Sequence, residues 1–274
     1  MRSRRRAFTI VELLVVITII VILIGLLLPA LSAAYRTAME YECQNNLHHL
    51  AVVVAAYCTD NDGYFPRATG AGATPSANDW LYLNDSPTKE NVYKGVLVYQ
   101  KRVGSKMAQP STGTYVHVGE TDLYYCPIDV ENSLTPKAGQ VGIGLNPPKR
   151  LTSYVINGSI TYGNTGNERR VRRFSEFDPN DFLFIEESED SNFDQAYMTP
   201  TNSANYTITK RHHGGGYAAC MDGHVDWWSQ DDFKTAEDYY SGNSEWYKSV
   251  PLIGDSDSES VKEAKRMAAR WNPG

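Results

Sequence analysis

Residues Ala7 to Pro29 read AFTIVELLVVITIIVILIGLLLP, and this run constrains the chain more than any other part of it. From Phe8 to Leu28 the one ionisable residue is Glu12. At about 1.5 Å of rise per residue a helix of that length spans roughly 31 Å, close to the hydrocarbon thickness of a bilayer. The run is therefore expected to cross a membrane. Arg2, Arg4, Arg5 and Arg6 precede it, and basic residues beside a first span hold that end in the cytoplasm. The rest of the chain is expected on the far side.

Two plainer readings compete. A basic start followed by an apolar run also describes a secretory signal peptide, whose apolar region is only roughly 7–15 residues long and ends at a small-residue cleavage site. This run is longer, and Leu31-Ser32-Ala33-Ala34 is a poor site. A simple anchor helix is the second reading, and Glu12 stands against it. A carboxylate at membrane depth costs about 2.5–3.5 kcal/mol on insertion scales, so one that persists is expected to have a partner.

The string Ala7-Phe8-Thr9-Ile10-Val11-Glu12-Leu13-Leu14-Val15-Val16 resembles the cleavage and methylation motif of type IV prepilins and type II secretion pseudopilins. The resemblance implies that a prepilin peptidase cuts between Ala7 and Phe8 and methylates the new amino terminus. It also implies that Glu12 neutralises the terminal amine of a neighbouring subunit during assembly. Pro29, 21 residues after Phe8, matches the family's helix-loosening proline. The family usually has Gly before the Phe, and this chain has Ala7 instead. Physical chemistry points the same way, because Phe8 and Glu12 are spaced i,i+4 on one helical face, where ammonium and carboxylate can meet.

Further pieces widen the resemblance to a large bacterial group of pilin-like proteins. They are Cys43-Gln44-Asn45-Asn46-Leu47, Asp60-Asn61-Asp62-Gly63-Tyr64-Phe65-Pro66, Tyr125-Cys126-Pro127, Ser153-Tyr154 with Asn157, and Arg211-His212. The group's C-terminal signature, a His, nine residues and Asp-Gly, is matched by His212 and Asp222-Gly223. Together they cover the chain from Phe8 to about Trp228.

After Pro29 the pattern turns amphipathic. Leu47, Leu50, Val54 and Tyr57 recur at helical spacing, while Arg36, Glu40, Glu42, Gln44, Asn45 and Asn46 supply polar faces. One helix is predicted to run on to about Cys58, ended by the turn residues Thr59-Asp60-Asn61-Asp62-Gly63. Gly25 and Pro29 mark its junction with the membrane half, where a bend or local melting is expected. An apolar stripe of this kind needs a globular partner to cover it.

In the head, Leu123 to Cys126 reads as a short strand closed by Pro127, and Ser153 to Ile156 and Phe182 to Ile185 as strands. Residues 67–79 and 136–150 read as loops, while residues 90–102 leave helix against strand open. Tyr217 to Trp228, with Asp222-Gly223 at its centre, predicts a tight β-hairpin in which both central residues take positive φ, lining the core against the helix. Ser260 and Glu263 fit a capping box ahead of a short amphipathic helix carrying Val261, Ala264, Met267, Ala268 and Trp271.

The whole chain of 274 residues carries 26 basic and 32 acidic side chains; loss of residues 1–7 removes four arginines, so 22 − 32 leaves about −10. An acidic exterior argues against nucleic-acid binding, for which a basic stripe is the expected footprint. Cys43, Cys58, Cys126 and Cys220 lie beyond the anchor, in an oxidising compartment if the topology holds, and four cysteines allow three pairings. Cys43 with Cys58 is discounted, because on one helix they stand about 22 Å apart.

His212, His224 and Asp226, with His213 and Asp222 nearby, carry ligand types suited to a transition metal. The turn-and-cap reading is preferred, because a two-residue hairpin sends alternate side chains to opposite faces. His213-Gly214-Gly215-Gly216 resembles the oxyanion segment of some lipases and esterases, but the sequence has no G-x-S-x-G elbow. Asp60 and Asp62 lack the further acidic residues and terminal Glu of a calcium loop, and the acidic run 255–260 reads as a solvated linker.

The expectation is an α+β, pilin-like fold: a leader at residues 1–7, a membrane and spine helix at 8–58, and a head at 59–274 with an antiparallel sheet. The chain reads as a structural subunit, a pseudopilin or minor pilin, with neither enzymatic activity nor a cofactor expected. Its implied partners are a prepilin peptidase, other pilin-like subunits, an inner-membrane assembly platform and the membrane, with no nucleic acid. The implied location is the inner membrane in a single pass, N-terminus cytoplasmic and head periplasmic or in an extracellular filament. An anchored binding protein that never polymerises is the alternative.

Overall fold

The computed structural model describes residues 9–68, 79–80, 107–108, 116–117, 123–132, 152–162, 170–188, 197–198, 207–233, 258–259, 262, 265–266 and 270. Ala7 and Phe8 lie outside these residues, as do residues 90–102 and 136–150, the capping pair Ser260 and Glu263, and the five apolar positions from Val261 to Trp271.

The first element is α1, Ile10–Asp60, a single helix of 51 residues. Its two halves live in different surroundings. Large apolar side chains from Ile10 to Leu31 are exposed, and the segment is long and apolar enough to cross a membrane. From Cys43 on, Leu47, Leu50, Val54 and Tyr57 are buried, as their spacing predicts. Asn46, expected on a polar face, is buried too, and its Nδ2 donates to the Tyr125 carbonyl at 3.1 Å. The helix runs through Pro29 without the expected melting. Proline removes one internal hydrogen bond there, and the apolar helix formers on both sides keep the rest. At the far end Asn61 caps the helix, its Nδ2 donating to the Tyr57 carbonyl at 2.7 Å, and positive φ at Asp62 and Gly63 turns the chain away.

The head is built on strands β1 (Met107–Ala108), β2 (Val116–His117), β3 (Tyr154–Asn157), β4 (Thr161–Tyr162), β5 (Arg170–Val171), β6 (Phe182–Glu186), β7 (Tyr197–Met198), β8 (Gly215–Cys220) and β9 (Val225–Ser229). The main sheet has the order β7-β3-β6-β8-β9; each neighbouring pair from β3 through β6 and β8 to β9 is antiparallel, and β7 adds to β3 in parallel. The pairs β1–β2 and β4–β5 are separate ribbons. A long apolar N-terminal helix against an antiparallel sheet is the α+β, pilin-like arrangement that the sequence predicts.

Strand alternation assigns the faces. Tyr154 and Ile156 of β3, and Tyr217 and Ala219 of β8, join the core that contains the outer half of α1. Val155, Ala218 and Cys220 join a second core on the opposite face with Met198, Ile208 and Phe233. In β6 a register shift between Phe182 and Phe184 breaks the alternation, so Phe182 packs on the far face and both Leu183 and Phe184 on the helix face. Parity after that shift carries Glu186 to the helix side.

The segment Leu123 to Cys126 is a turn, and Pro127 opens a short helix, α2 (Pro127–Asn132), where the sequence predicts a strand ending at Pro127. Proline suits the first helical position because its missing N–H would have no intrahelical acceptor, and Asp129 N–H closes back on the Cys126 carbonyl at 2.9 Å. The hairpin also differs from the expected two-residue turn. Gly223 N–H donates to the Cys220 carbonyl and Cys220 N–H to the His224 carbonyl, both at 2.9 Å, and Gly223 alone of the Asp-Gly pair has positive φ. This is a three-residue loop, a turn followed by one left-handed residue.

Candidate functional site

The N-terminal site begins at Thr9. Its hydroxyl accepts from Glu12 N–H at 3.2 Å, while Glu12 Oε2 accepts from both Thr9 N–H and Thr9 Oγ1 at 2.8 Å. This is a capping box, and Thr9-Ile10-Val11-Glu12 shows the pattern that predicts one. The carboxylate expected to await a terminal amine is thus held locally by the helix start in the isolated chain. Pro29 sits 17 residues further along the same exposed stretch, since 29 − 12 = 17.

The second site lies where α1, α2 and the helix face of the sheet meet. Cys43 of α1 and Cys126 ahead of α2 form a disulfide, with Cα atoms 4.9 Å apart, whereas Cys58 and Cys220 are free and buried. Burial pushes both of those thiols up to about 12. His212, fully buried, places Nε2 at 3.0 Å from Glu186 Oε1 and 3.4 Å from Cys126 Sγ. Glu186 Oε2 accepts from Tyr217 N–H at 2.9 Å. Beside them Arg211 pairs with Asp129 at 3.1 Å, both almost wholly buried, and Asp129 Oδ2 accepts from Ser153 Oγ at 2.5 Å. Removing one member of a buried pair like this costs about 3–5 kcal/mol, because its partner keeps an uncompensated charge. Tyr154 reaches toward the Cys43 carbonyl at 3.4 Å, and burial holds its hydroxyl well above the usual tyrosine range.

Four of the scattered sequence pieces thereby meet in one buried polar cluster: Cys43 and Asn46 from the helix, Cys126, Ser153 with Tyr154, and Arg211 with His212; Asp60 to Pro66, Asn157 and Asp222-Gly223 lie elsewhere. Sequence reasoning missed Glu186 and Asp129. Glu186 follows the apolar string Phe182-Leu183-Phe184-Ile185 but also opens the acidic run Glu186-Glu187-Ser188-Glu189-Asp190, which reads as a solvated strand end and hides its burial.

The third group is the hairpin end, and the proposed metal set of His212, His224 and Asp226 does not come together there. Six residues of β8 separate His212 from the turn, about 20 Å of strand. His224 instead bridges two carboxylates, Asp222 Oδ1 at 2.5 Å and Asp226 Oδ2 at 3.2 Å. Partial burial raises the Asp222 carboxyl, but hydrogen bonds from His224 outweigh it and hold the group below its usual range. Cys220 lies close to His224 and Asp226, yet Arg270 Nη2 already stands 3.1 Å from Cys220 Sγ and 3.5 Å from Asp226 Oδ2. A guanidinium in that position repels a second cation. Gly223 holds the turn. Of the lipase-like glycines, Gly215 and Gly216 belong to strand β8. A Cβ on Gly215 would collide with the Trp228 carbonyl, so the residue serves close strand packing.

Against known families, residues 2–28 match the family described as prokaryotic N-terminal methylation motif. No curated protein and no solved structure matches the chain. The match ends within the exposed apolar half of α1, and it supports a type IV pilin-like prepilin, which implies processing by a prepilin peptidase and assembly with other pilin subunits.

Proposed function

We propose that the chain is a structural subunit, a pseudopilin or minor pilin, of a type II secretion or type IV pilus-like filament. Prepilin peptidase cuts between Ala7 and Phe8, methylates the Phe8 amine, and the subunit is drawn from the inner membrane into the filament with its head outside the cytoplasm. The methylation motif at residues 2–28 carries this reading. The division of α1 supports it: the apolar half is left bare by its own head, and the outer half is buried under the sheet. A helix with one uncovered apolar half has lipid or other copies of itself as its surroundings. Glu12 is then the group that exchanges its local Thr9 bonds for the ammonium of a neighbour.

Intact mass of the protein recovered from membranes tests the processing step. A chain beginning at methylated Phe8 is expected. A chain retaining Met1 would defeat the proposal and leave an anchored protein that does not polymerise.

A further inference from the structure

The cluster around the disulfide holds four metal-ligating side chains from four separate segments, all fully buried: Cys43, Cys126, Glu186 and His212, with ligand atoms within 4.8 Å of one another. We propose that these four residues are a zinc site whose sulfurs serve two states. The oxidised protein joins them in the disulfide. The reduced protein binds one zinc ion through two thiolates, one imidazole and one carboxylate.

The geometry at His212 favours a cation over a proton relay. A nucleophile–base–acid relay uses the two ring nitrogens on opposite sides, one for each neighbour. Here a single nitrogen, Nε2, faces both Glu186 Oε1 and Cys126 Sγ, and Nδ1 has no hydrogen-bond partner among the described residues. One N–H cannot serve two acceptors well, whereas lone pairs converging on one point are what a metal takes. With Zn–S near 2.3 Å and Zn–N or Zn–O near 2.05 Å, a tetrahedral site has S···N edges of about 3.6 Å and N···O edges of about 3.4 Å. The observed 3.4 and 3.0 Å lie within about half an ångström of these. The sulfurs must part to about 3.8 Å, a movement within reach of side-chain rotation at two cysteines whose Cα atoms are 4.9 Å apart.

The surroundings suit a bound ion. Tyr217 N–H fixes Glu186 through Oε2 and leaves Oε1 facing His212 Nε2, as an outer-sphere contact does for a ligating carboxylate. The imidazole packs at a 52° tilt against Tyr217, with ring centroids 4.8 Å apart. The balance of the step is simple. A dithiol reductant supplies two electrons and two protons to the Cys43–Cys126 bond and closes into its own disulfide, and zinc then displaces the two thiol protons to solvent. Because the site is buried, the ion enters as the reduced head folds.

The test uses the full chain in detergent, reduced with a phosphine, loosened in denaturant and returned to buffer with cobalt(II) as a spectroscopic stand-in for zinc. One equivalent is expected to give thiolate-to-cobalt charge transfer and tetrahedral d–d absorption, displaced by zinc, with no uptake by the oxidised chain. The double variant Cys58→Ser, Cys220→Ser should bind as the parent does. Glu186→Gln, which can keep the bond from Tyr217, should weaken binding at least about tenfold, and His212→Ala more than about a hundredfold. Refolded reduced parent chain that takes up no cobalt overturns the proposal, whatever the variants do. So does uptake that survives Cys126→Ser, or uptake that is lost on His224→Ala, which would move the ion to the hairpin end.

Discussion

His48 Nδ1 stands 2.7 Å from the carbonyl oxygen of Gly223, so one imidazole of the spine helix holds the turn of the hairpin 175 residues away. Both partners are constrained. Gly223 has φ of +90°, and a Cβ there would come to 3.4 Å from His48 Nδ1. Gly223→Ala is expected to cost about 1–3 kcal/mol through backbone strain, and His48→Ala about 1 kcal/mol through the lost bond. The double variant should lose less than the sum, because the added methyl disturbs the same bond. Urea denaturation of the full chain in detergent, followed by tryptophan fluorescence, measures all three. Strict additivity would show that the two residues are not coupled.

Neighbouring glycines separate conformational strain from collision. Gly214 has φ of +85°, and a Cβ there would meet nothing within 4 Å, whereas a Cβ on Gly215 would run into the Trp228 carbonyl and come to 2.7 Å from the Trp227 ring. Gly214→Ala should cost about 1 kcal/mol. Gly215→Ala should cost more than about 3 kcal/mol, because β8 and β9 must separate to admit it. Equal denaturation midpoints for the two variants would contradict the close approach of the two strands.

Asp181 makes stability depend on pH. Burial raises its carboxyl from the ordinary 3.8 to about 6, against the bond that it accepts from Asp178 N–H at 2.6 Å. A folded-state value above the unfolded one means that the folded protein binds the extra proton. This contribution therefore grows as pH falls from about 6 toward 4, and above 6 the ionised carboxylate weighs against the fold. Asp181→Asn should flatten that part of the stability profile and raise stability at pH 7 by at most about 3 kcal/mol. Denaturation midpoints measured between pH 4 and 8 check it, and an unchanged slope would mean that Asp181 titrates normally.

How far the sequence carries depends on how local the cause is. The 51-residue helix and its buried stripe are legible because periodicity is a local pattern. The hairpin is legible as well, but its loop length is not, since the Asp-Gly pair fits both two- and three-residue turns. Pro127 misleads in the same way, as a proline ends a strand and begins a helix equally well. The cluster at His212 is half visible: its members stand out as separate short strings, yet nothing local says that they meet. Glu186 reaches the helix face only through the irregularity between Phe182 and Phe184, a tertiary feature. His212 and His224 look like neighbours in the sequence because only eleven residues separate them, and β8 sends them to opposite ends of a strand.

Thr9 and Glu12 allow the assembly role of the carboxylate to be separated from its role in the helix. Glu12 accepts both hydrogen bonds that Thr9 donates, so a defect in Glu12 variants has two sources, a lost cap and a lost counter-charge. Thr9→Val removes the cap and keeps the charge. It should cost the helix start about 1 kcal/mol and leave filament incorporation near the parent level. Glu12→Leu removes both, makes membrane insertion easier by about 3 kcal/mol on insertion scales, and should abolish incorporation alongside parent subunits. Glu12→Gln, able to cap but uncharged, should fail like Glu12→Leu. Co-expression of tagged variants with the parent, followed by immunoblotting of sheared filaments and of membranes, gives both readouts. Incorporation of Glu12→Gln at the parent level would mean that the cap, and not the charge, is what assembly requires.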